Sequence, residues 1–302
     1  GLRCDPDQIM LTSGTQHALR IVLGAILKPG DQIWCEDPGY PAARKAIEHC
    51  SQRPVAVPVD ASGMIVAKGR ALAPAAGAAY VTPSHQFPLG VTMSMRRRLA
   101  LIDWARETGG WIIEDDYDSE FRYAGPPLAA MQGMDDSSRV IYLGTFSKVL
   151  FPGLRLGYAV LPEPLLERIV ALRARSDRSP PTLAEAALTD LIREGHFAAH
   201  LRRARRQAQS ARDGLLEGLH MAPCLAVTVP DQGLHLVAGL PESVPDTLAV
   251  DIARKAGLGI RALSAMAVTQ PPRQGLGIGF SGFAPEVLRD AASCFSAALA
   301  RL

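Results

Sequence analysis

Residues 144–158 read Gly-Thr-Phe-Ser-Lys-Val-Leu-Phe-Pro-Gly-Leu-Arg-Leu-Gly-Tyr, and they follow directly on an apolar run of strand length. In this segment Lys148 stands just behind two hydroxyl residues, Thr145 and Ser147. Arg155 follows in a stretch that contains two glycines. A desolvated lysine amine forms Schiff bases with aldehydes, and hydroxyl groups with an arginine suit a phosphate. The segment therefore predicts a lysine-bound ligand that carries a phosphate.

Outward from this segment, the first two-thirds of the chain alternates strand-like and helix-like stretches. Apolar runs of strand length are Ile9 to Thr12, Ala78 to Val81, Trp111 to Ile113 and Val140 to Leu143. Between them lie helical periodicities, the first of which runs from Leu19 to Ile26. Such alternation predicts an α/β fold, with a mainly parallel sheet that is covered by helices on both faces.

After about residue 160 the pattern changes to long helices rich in Ala, Leu, Arg and Glu, followed by short strands and a last helix. This change predicts a connecting helix that leads into a smaller α+β domain. We place a large ligand-binding domain at residues 1–195 and the small C-terminal domain, with its connecting helix, at residues 196–302.

Composition restricts the class of protein. The chain has 302 residues, of which 48% are hydrophobic, and a formal net charge of +2, which gives no support to direct nucleic-acid binding. No apolar run approaches the roughly 20 residues of a membrane span. The five cysteines form no CxxC pair and the histidines show no ligand spacing, so we expect no metal site. We expect a cytoplasmic protein without membrane association.

The turn Ser13-Gly14-Thr15-Gln16 lies between the first predicted strand and the first predicted helix. Backbone N–H groups at a helix N-terminus and the positive end of the helix dipole favour a phosphate. Ser and Thr are also favoured there as ordinary N-caps. Both interpretations stay open from these residues alone.

The run Glu114-Asp115-Asp116-Tyr117-Asp118 follows an apolar strand. Because side chains alternate in a strand, Asp115 and Tyr117 share one face and Asp116 lies on the other. A carboxylate and a phenol on one face suit a protonated ring nitrogen and a ring oxygen. A divalent-metal site and a solvated acidic turn are the alternatives.

Three strings carry a family resemblance: Thr82-Pro83-Ser84-His85-Gln86-Phe87-Pro88, Glu114-Asp115-Asp116-Tyr117-Asp118-Ser119-Glu120-Phe121-Arg122-Tyr123 and Gly144-Thr145-Phe146-Ser147-Lys148. With them the chain resembles the pyridoxal 5′-phosphate (PLP) enzymes of fold type I, the aspartate-aminotransferase family. Within that family it is most similar to the aminotransferase-like domain of MocR/GntR-type transcription regulators. The resemblance implies the PLP-transferase fold, with a mainly parallel seven-stranded sheet, and a homodimer.

The resemblance also implies roles for single residues. Lys148 is expected to form a Schiff base with PLP, Asp115 to keep the pyridine nitrogen protonated, and Tyr117 to bind the ring oxygen. Tyr40 is expected to stack on the ring. The residues expected around the phosphate are Gly14, Thr15, Gln16, Thr145, Ser147 and Arg155.

Two departures from the enzyme pattern bear on function. The enzymes carry Asn-Pro-x-Gly, and this chain has Phe87-Pro88-Leu89-Gly90. The enzymes also place a carboxylate-binding arginine in a late strand, where this chain has Gly277, with Arg273 shortly before it. The loss of that arginine argues against transamination of amino acids.

Two functional hypotheses follow. In the first, the chain is a PLP-binding domain that senses an amino acid or amine, and DNA is bound only by a domain that precedes it in a MocR/GntR-type regulator. The chain starts directly on a strand, turn and helix, which fits a piece of a longer protein. In the second, the chain is an active class I/II aminotransferase that acts on an amino acid or amine.

Overall fold

The computed structural model describes residues 1–177 and 182–301. These residues divide into two compact units, here called the large unit and the small unit. The large unit consists of Gly1–Gln86, Val91–Tyr117 and Pro127–Ala198. The small unit consists of Phe87–Gly90, Asp118–Pro126 and the chain from Ala199 onward. The domain division at residues 195 and 196 stays a prediction, and residue 302 lies outside the described residues.

The large unit contains an eight-stranded sheet. Its strands are β1 (Ile9–Thr12), β2 (Gln32–Asp37), β3 (Arg53–Asp60), β4 (Gly63–Met64), β5 (Ala78–Val81), β6 (Trp111–Asp116), β7 (Val140–Thr145) and β8 (Gly157–Val160). They are ordered β1-β8-β7-β6-β5-β2-β3-β4. The pairs of β2 with β3, β2 with β5, β5 with β6 and β6 with β7 are parallel. The predicted α/β architecture with a mainly parallel sheet is confirmed.

The eighth strand is the one difference from the expected count of seven. β4 is two residues long and pairs antiparallel with the end of β3, through Val59 with Met64 and Asp60 with Gly63. A two-residue strand is too short for hydrophobic periodicity to indicate it.

Helices cover both faces of this sheet. In the large unit they are α1 (Thr15–Ile26), α2 (Pro41–His49), α3 (Val66–Leu72), α4 (Met95–Thr108), α5 (Leu166–Ser176) and α6 (Thr182–Arg193). One buried cluster joins α1, α2 and α5 to alternate strand residues such as Ile113. A second joins α3 and α4 to the intervening residues such as Ile112. The alternation along β6 therefore fills two cores, one on each side.

The small unit contains an antiparallel sheet of β9 (Ala226–Thr228), β10 (His235–Gly239), β11 (Ile260–Ala262) and β12 (Leu276–Gly279), in the order β11-β12-β10-β9. The long helix α7 (His196–Leu219) leads into it, and α8 (Asp246–Lys255) and α9 (Pro285–Leu299) complete its secondary structure. This is the expected small α+β part. None of the helices in the described ranges combines the length and the apolar character that crossing a membrane requires.

One edge of the large sheet collects several strand ends. β2, β5, β6 and β7 are parallel, so their carboxyl ends meet at one edge. β1 runs in the same direction as β7, because both are antiparallel to β8. The turns that follow β1, β2, β5, β6 and β7 therefore lie on this edge, which is where open α/β sheets bind ligands.

Candidate functional site

The turn between β1 and α1 is shaped for an anion. Gly14 is the N-cap of α1, with φ of 99° and no side-chain cap. The first N–H groups of any helix lack intrahelical acceptors, and the helix dipole adds positive potential. Arg155 Nη2 donates to the carbonyl oxygen of Ser13 at 3.0 Å. A Cβ on Gly14 would lie 3.6 Å from the same Nη2, so the guanidinium group covers the turn.

The turn after β7 carries Lys148. Ser147 N donates to Thr145 Oγ1 at 3.1 Å, and Leu150 N donates to the Phe146 carbonyl at 2.9 Å. The Lys148 side chain is exposed and makes no hydrogen bond or ion pair with any residue that the structure describes. Its amine is therefore available to a ligand.

Gly157 at the start of β8 brings these two turns together. It pairs with Thr12 of β1 on one side and with Thr145 of β7 on the other. A Cβ at this position would lie 3.0 Å from the Gly14 Cα and 3.0 Å from the Gly144 carbonyl oxygen, tighter than nine in ten real Cβ contacts. The absence of a side chain at residue 157 thus permits the Gly14 turn to approach the end of β7.

Asp115 is buried on β6, one strand beyond β7, and accepts a hydrogen bond at Oδ2 from the Tyr80 hydroxyl at 2.5 Å. Burial, followed by the nearby Asp115 charge, raises the pKa of Tyr80 well above its ordinary value. Tyr80 therefore remains a protonated donor, and Asp115 remains an acceptor. Ile113, which lies two residues before Asp115 and so on the same face of β6, belongs to the same buried cluster as Tyr80. Asp115 and Tyr80 therefore lie on one face of the sheet.

Glu114 and Asp116, the neighbours of Asp115, have other hydrogen-bond partners. Asp116 Oδ2 accepts from the Tyr142 hydroxyl at 2.8 Å. Glu114 Oε1 and Oε2 accept from the backbone N–H groups of Met131 and Gln132, each at 2.9 Å. Burial raises the pKa of Glu114 to about 7, although those N–H groups and Arg98, 4.0 Å away, favour its charged form. The three adjacent carboxylates thus bind three different partners and do not form one ligand set.

Tyr117 and Tyr40 are the two aromatic residues expected to contact the ring. The Tyr117 hydroxyl donates to the His85 carbonyl at 2.9 Å and lies 3.2 Å from His85 Nδ1. Tyr40 is the N-cap of α2 and packs against the core beneath α1 and α2. The structure therefore brings together Gly14, Thr145 and Arg155 around β8, and it places Asp115, Tyr117 and Tyr40 at strand ends of the same edge.

Three further residues were not anticipated from the sequence. Tyr80 binds Asp115, and Glu36 accepts hydrogen bonds from Thr82 and Gln86. His17 Nδ1 accepts from the Ser13 N–H of the anion turn at 3.1 Å. The sequence offered one signal for Tyr80. It is the one residue with a hydroxyl group in β5, whose other residues are Ala and Val, and like Asp115 it lies close to the end of its strand.

The small unit contains the two departures from the enzyme pattern. The Phe87 ring packs edge-on against His235, with ring centroids 5.4 Å apart. Gly277 pairs with Val237 and Arg261 in the middle of its sheet, and a Cβ there would have no neighbour nearer than 3.9 Å. Arg273 is exposed. Gly277 thus has room for a side chain and itself provides no cation, and the residue that pairs with it on β11 is Arg261.

Comparisons with known proteins agree with this geometry. The family model described as "Aminotransferase class I and II" matches residues 1–291. A crystal structure of Pyrococcus horikoshii kynurenine aminotransferase, in complex with PMP, KYN and KYA, superposes with a TM-score of 0.87 at 27% identity. That similarity covers 97% of this chain and 75% of the enzyme.

Transcription regulators are also similar to the chain. The probable rhizopine catabolism regulatory protein MocR of Rhizobium meliloti is 38% identical over 293 residues, which cover 96% of this chain and 59% of MocR. The HTH-type transcriptional regulator YdeL of Bacillus subtilis is 35% identical over 292 residues, which cover 96% of this chain and 62% of YdeL. The chain thus spans about three-fifths of these relatives. The predicted resemblance to MocR-type regulators is confirmed.

Proposed function

The chain belongs to the aminotransferase class I and II family, and from this premise we propose that it is the PLP-binding, effector-sensing domain of a MocR/GntR-type transcription regulator. The observation that carries the proposal is the arrangement of strand ends. Lys148 lies in the turn that follows β7, and β7 lies between the side that is shaped for an anion and the strand of Asp115.

The residues present fit a phosphorylated pyridine. The Gly14 turn leaves N–H groups and the Arg155 guanidinium group for a phosphate. Asp115 provides a buried carboxylate for a positively charged ring nitrogen. Neighbouring strands lie about 4.8 Å apart, so β8 and β6 are roughly 10 Å apart with β7 between them. One small molecule can span that distance.

When bound, PLP supplies an aldehyde for an amine and a ring that delocalises negative charge. In our proposal Lys148 provides the attaching amine, and Asp115 holds the proton on the ring nitrogen. Tyr117 donates to the ring oxygen when its hydroxyl hydrogen turns away from the His85 carbonyl, while its oxygen stays beside His85 Nδ1, and Tyr40 stacks on the ring. The residues proposed to bind the phosphate are Gly14, Thr15, Gln16, Thr145, Ser147 and Arg155.

The regulator part of the proposal rests on the relatives. Both named relatives are regulators, and YdeL is of the HTH type. We propose that the whole protein contains a DNA-binding domain of that type and acts as a homodimer. An amino acid or amine that reaches Lys148 would then be the signal, and this chain itself would not contact DNA.

An active aminotransferase is the second candidate. The similarity to the kynurenine aminotransferase favours it, since 97% of this chain superposes on an enzyme. Gly277 opposes it, because a substrate carboxylate finds no cationic side chain at that position of β12. We therefore rank sensing above transamination.

The test is the visible absorbance of the purified chain with PLP. We expect a band that Lys148→Ala abolishes, and Lys148→Arg also abolishes it, because a guanidinium group keeps the charge but not the nucleophilic amine. Lys45→Ala, which removes an exposed lysine of α2, should leave the band unchanged. A folded wild-type chain without this band would refute the proposal.

A panel of amino acids and amines then separates the two candidates. Release of a keto acid, with conversion of PLP to pyridoxamine phosphate, would favour the enzyme. A spectral change without product release would favour the sensor.

A further inference from the structure

Glu36, at the end of β2, is a buried acid that the proposed function does not use. Only 3% of its surface is exposed. Its Oε2 accepts from Thr82 N at 3.2 Å, Thr82 Oγ1 at 2.6 Å and Gln86 Nε2 at 3.2 Å. No basic residue in the described ranges forms an ion pair with it. A buried acid without a counter-ion is costly to keep, which makes its contacts informative.

Gln86 extends this contact to a second turn. Its Nε2 donates to the Pro38 carbonyl at 3.0 Å as well as to Glu36. Pro38 lies in the turn between β2 and α2, and Thr82 and Gln86 lie in the turn after β5. The Glu36 carboxyl and the Gln86 amide therefore fasten these two turns to each other.

Each turn carries an aromatic contact of the candidate site. The first ends at Tyr40, which begins α2. The second contains His85, whose carbonyl accepts from the Tyr117 hydroxyl and whose Nδ1 lies beside the same hydroxyl. A displacement of one turn against the other would thus change the separation of Tyr40 and Tyr117.

We propose that Glu36 is a positioning residue of the ligand site: its carboxyl fixes the turn of Tyr40 to the turn of His85 and so sets the positions of the Tyr40 and Tyr117 rings. The inference rests on the proposed function, since it assumes that both rings contact PLP. The Glu36 carboxyl accepts hydrogen bonds from Thr82 and Gln86, and it therefore acts on the two rings through the turns that carry them.

The chemistry of the acid agrees with this role. Burial raises the pKa of Glu36 to about 7, more than the hydrogen bonds from Thr82 and Gln86 lower it. Oε1 has no hydrogen-bond partner among the described residues and is free to hold the proton. A glutamine retains the accepting oxygen and the shape, so Glu36→Gln should retain the link between the turns, whereas Glu36→Ala should break it.

Glu114 provides a matched control. It is also fully buried at a strand end of the same sheet, and burial raises its pKa to about 7 as well. Its oxygens accept hydrogen bonds from the N–H groups of Met131 and Gln132, which lie outside both turns. Arg98, 4.0 Å from Glu114, donates separately to the Pro83 carbonyl of the turn after β5, and that bond does not involve the Glu114 carboxyl. Loss of Glu114 therefore reports the cost of removing a buried acid whose own hydrogen bonds do not join the two turns.

The experiment compares PLP affinity and the absorbance maximum of the Lys148-dependent band in Glu36→Ala, Glu36→Gln and Glu114→Ala. We expect Glu36→Ala to weaken PLP binding by roughly tenfold and to shift the maximum, as the loss of a hydrogen-bonded positioning group does. Glu36→Gln should restore both values. Glu114→Ala should lower the unfolding temperature and leave both values unchanged.

If Glu36→Ala fails to fold, Gln86→Leu replaces it, because that change removes the amide and leaves Glu36 in place. Wild-type affinity and spectrum in a folded Glu36→Ala or Gln86→Leu chain would overturn the inference while the Lys148-dependent band still supported the proposed function. An equal shift in Glu114→Ala would also overturn it. A wild-type chain without the band would overturn both.

Discussion

The two sides of the ligand edge are built from different chemistry. On the β1 and β8 side the polar groups are backbone N–H groups and an arginine, and both Arg155 and Lys148 are exposed. On the β2, β5 and β6 side they are carboxylates and a phenol, and Glu36, Asp115 and Tyr80 are all buried. The first side is called the anion side below, and the second the acidic side.

In our proposal, the difference follows from what each side binds, a phosphate on the anion side and a ring nitrogen on the acidic side. A helix N-terminus attracts an anion with fixed dipoles that need no burial. A carboxylate that holds a proton on a ring nitrogen gains from a low dielectric, and burial then requires a hydrogen-bond donor such as Tyr80. The anion side can therefore stay open to solvent, whereas the acidic side belongs to the core.

The largest expected effect concerns the acidic side. Asp115→Asn replaces the charged acceptor with a neutral one, and we expect PLP affinity to fall by about 10- to 100-fold, since hydrogen bonds to charged groups contribute about 1.5–3 kcal/mol. Asp116→Asn is the control, because Asp116 binds Tyr142 instead. Titration of both variants with PLP is the measurement, and equal losses would show that the two acids do not differ in role.

The next effect is a pH dependence of the unfolding free energy, which arises because Glu36 is buried on the acidic side. The pKa of Glu36 is about 7 in the folded chain and near 4.5 when exposed, so the folded state binds the extra proton between these values. Its contribution to the free energy of unfolding is present below about pH 4.5 and is lost as the pH rises through about 7. Relative to wild type, Glu36→Gln should therefore gain stability between pH 5 and pH 8, by about 2 kcal/mol.

Denaturant unfolding at several pH values measures this gain, and Glu48→Gln, at an exposed position of α2, gives the baseline. If the difference in unfolding free energy between Glu36→Gln and wild type does not change with pH, Glu36 ionises as an exposed acid does.

On the anion side, Arg155→Met should affect only ligands that carry a phosphate. We expect affinity for PLP to fall about tenfold and affinity for pyridoxal, which lacks the phosphate, to stay unchanged. Arg139→Met is a matched control, since Arg139 also donates to a backbone carbonyl, that of Gly109, at the other end of the sheet. A parallel loss for both ligands would contradict the assignment of Arg155 to the phosphate.

The smallest effect tests the backbone of the anion turn. Gly14→Ala forces a Cβ into a conformation with φ of 99° and ψ of 168°, which only glycine adopts readily, and it should cost more than about 1 kcal/mol of unfolding free energy. Gly109→Ala places a Cβ in the left-handed region, with φ of 73° and open space around it, at a cost of about 1 kcal/mol. Both should lose stability in denaturant, Gly14→Ala the more, but only Gly14→Ala should also weaken PLP binding. PLP affinity that is equal in the two variants would show that the Gly14 turn does not contact the phosphate.

Much of the fold could be predicted because its signals are local. The periodicity of Leu19 to Ile26 and the apolar runs of β5, β6 and β7 indicate helices and strands without reference to the rest of the chain. β4 could not be predicted, since its two residues are defined only by pairing with β3.

The candidate site likewise contains residues that local sequence motifs indicate and contacts that no local signal indicates. Gly14, Thr145, Lys148 and Arg155 stand in short motifs, so their positions in turns at strand ends could be predicted from residue order, and their roles in ligand binding stay predictions. The contacts of the acidic side join residues far apart in sequence, such as Tyr80 with Asp115 and Glu36 with Thr82. Strand order and register determine those contacts, and neither can be derived from one strand alone.

The close approach at Gly157 has a consequence for redesign of this site. Gly144 stands opposite Tyr158 in the β7–β8 pair, and a Cβ on Gly144 would overlap the Tyr158 ring. A library that randomises the edge to accept new ligands should therefore keep residues 144 and 157 as glycine. Substitutions are better introduced at exposed positions outside the strands, such as Phe151.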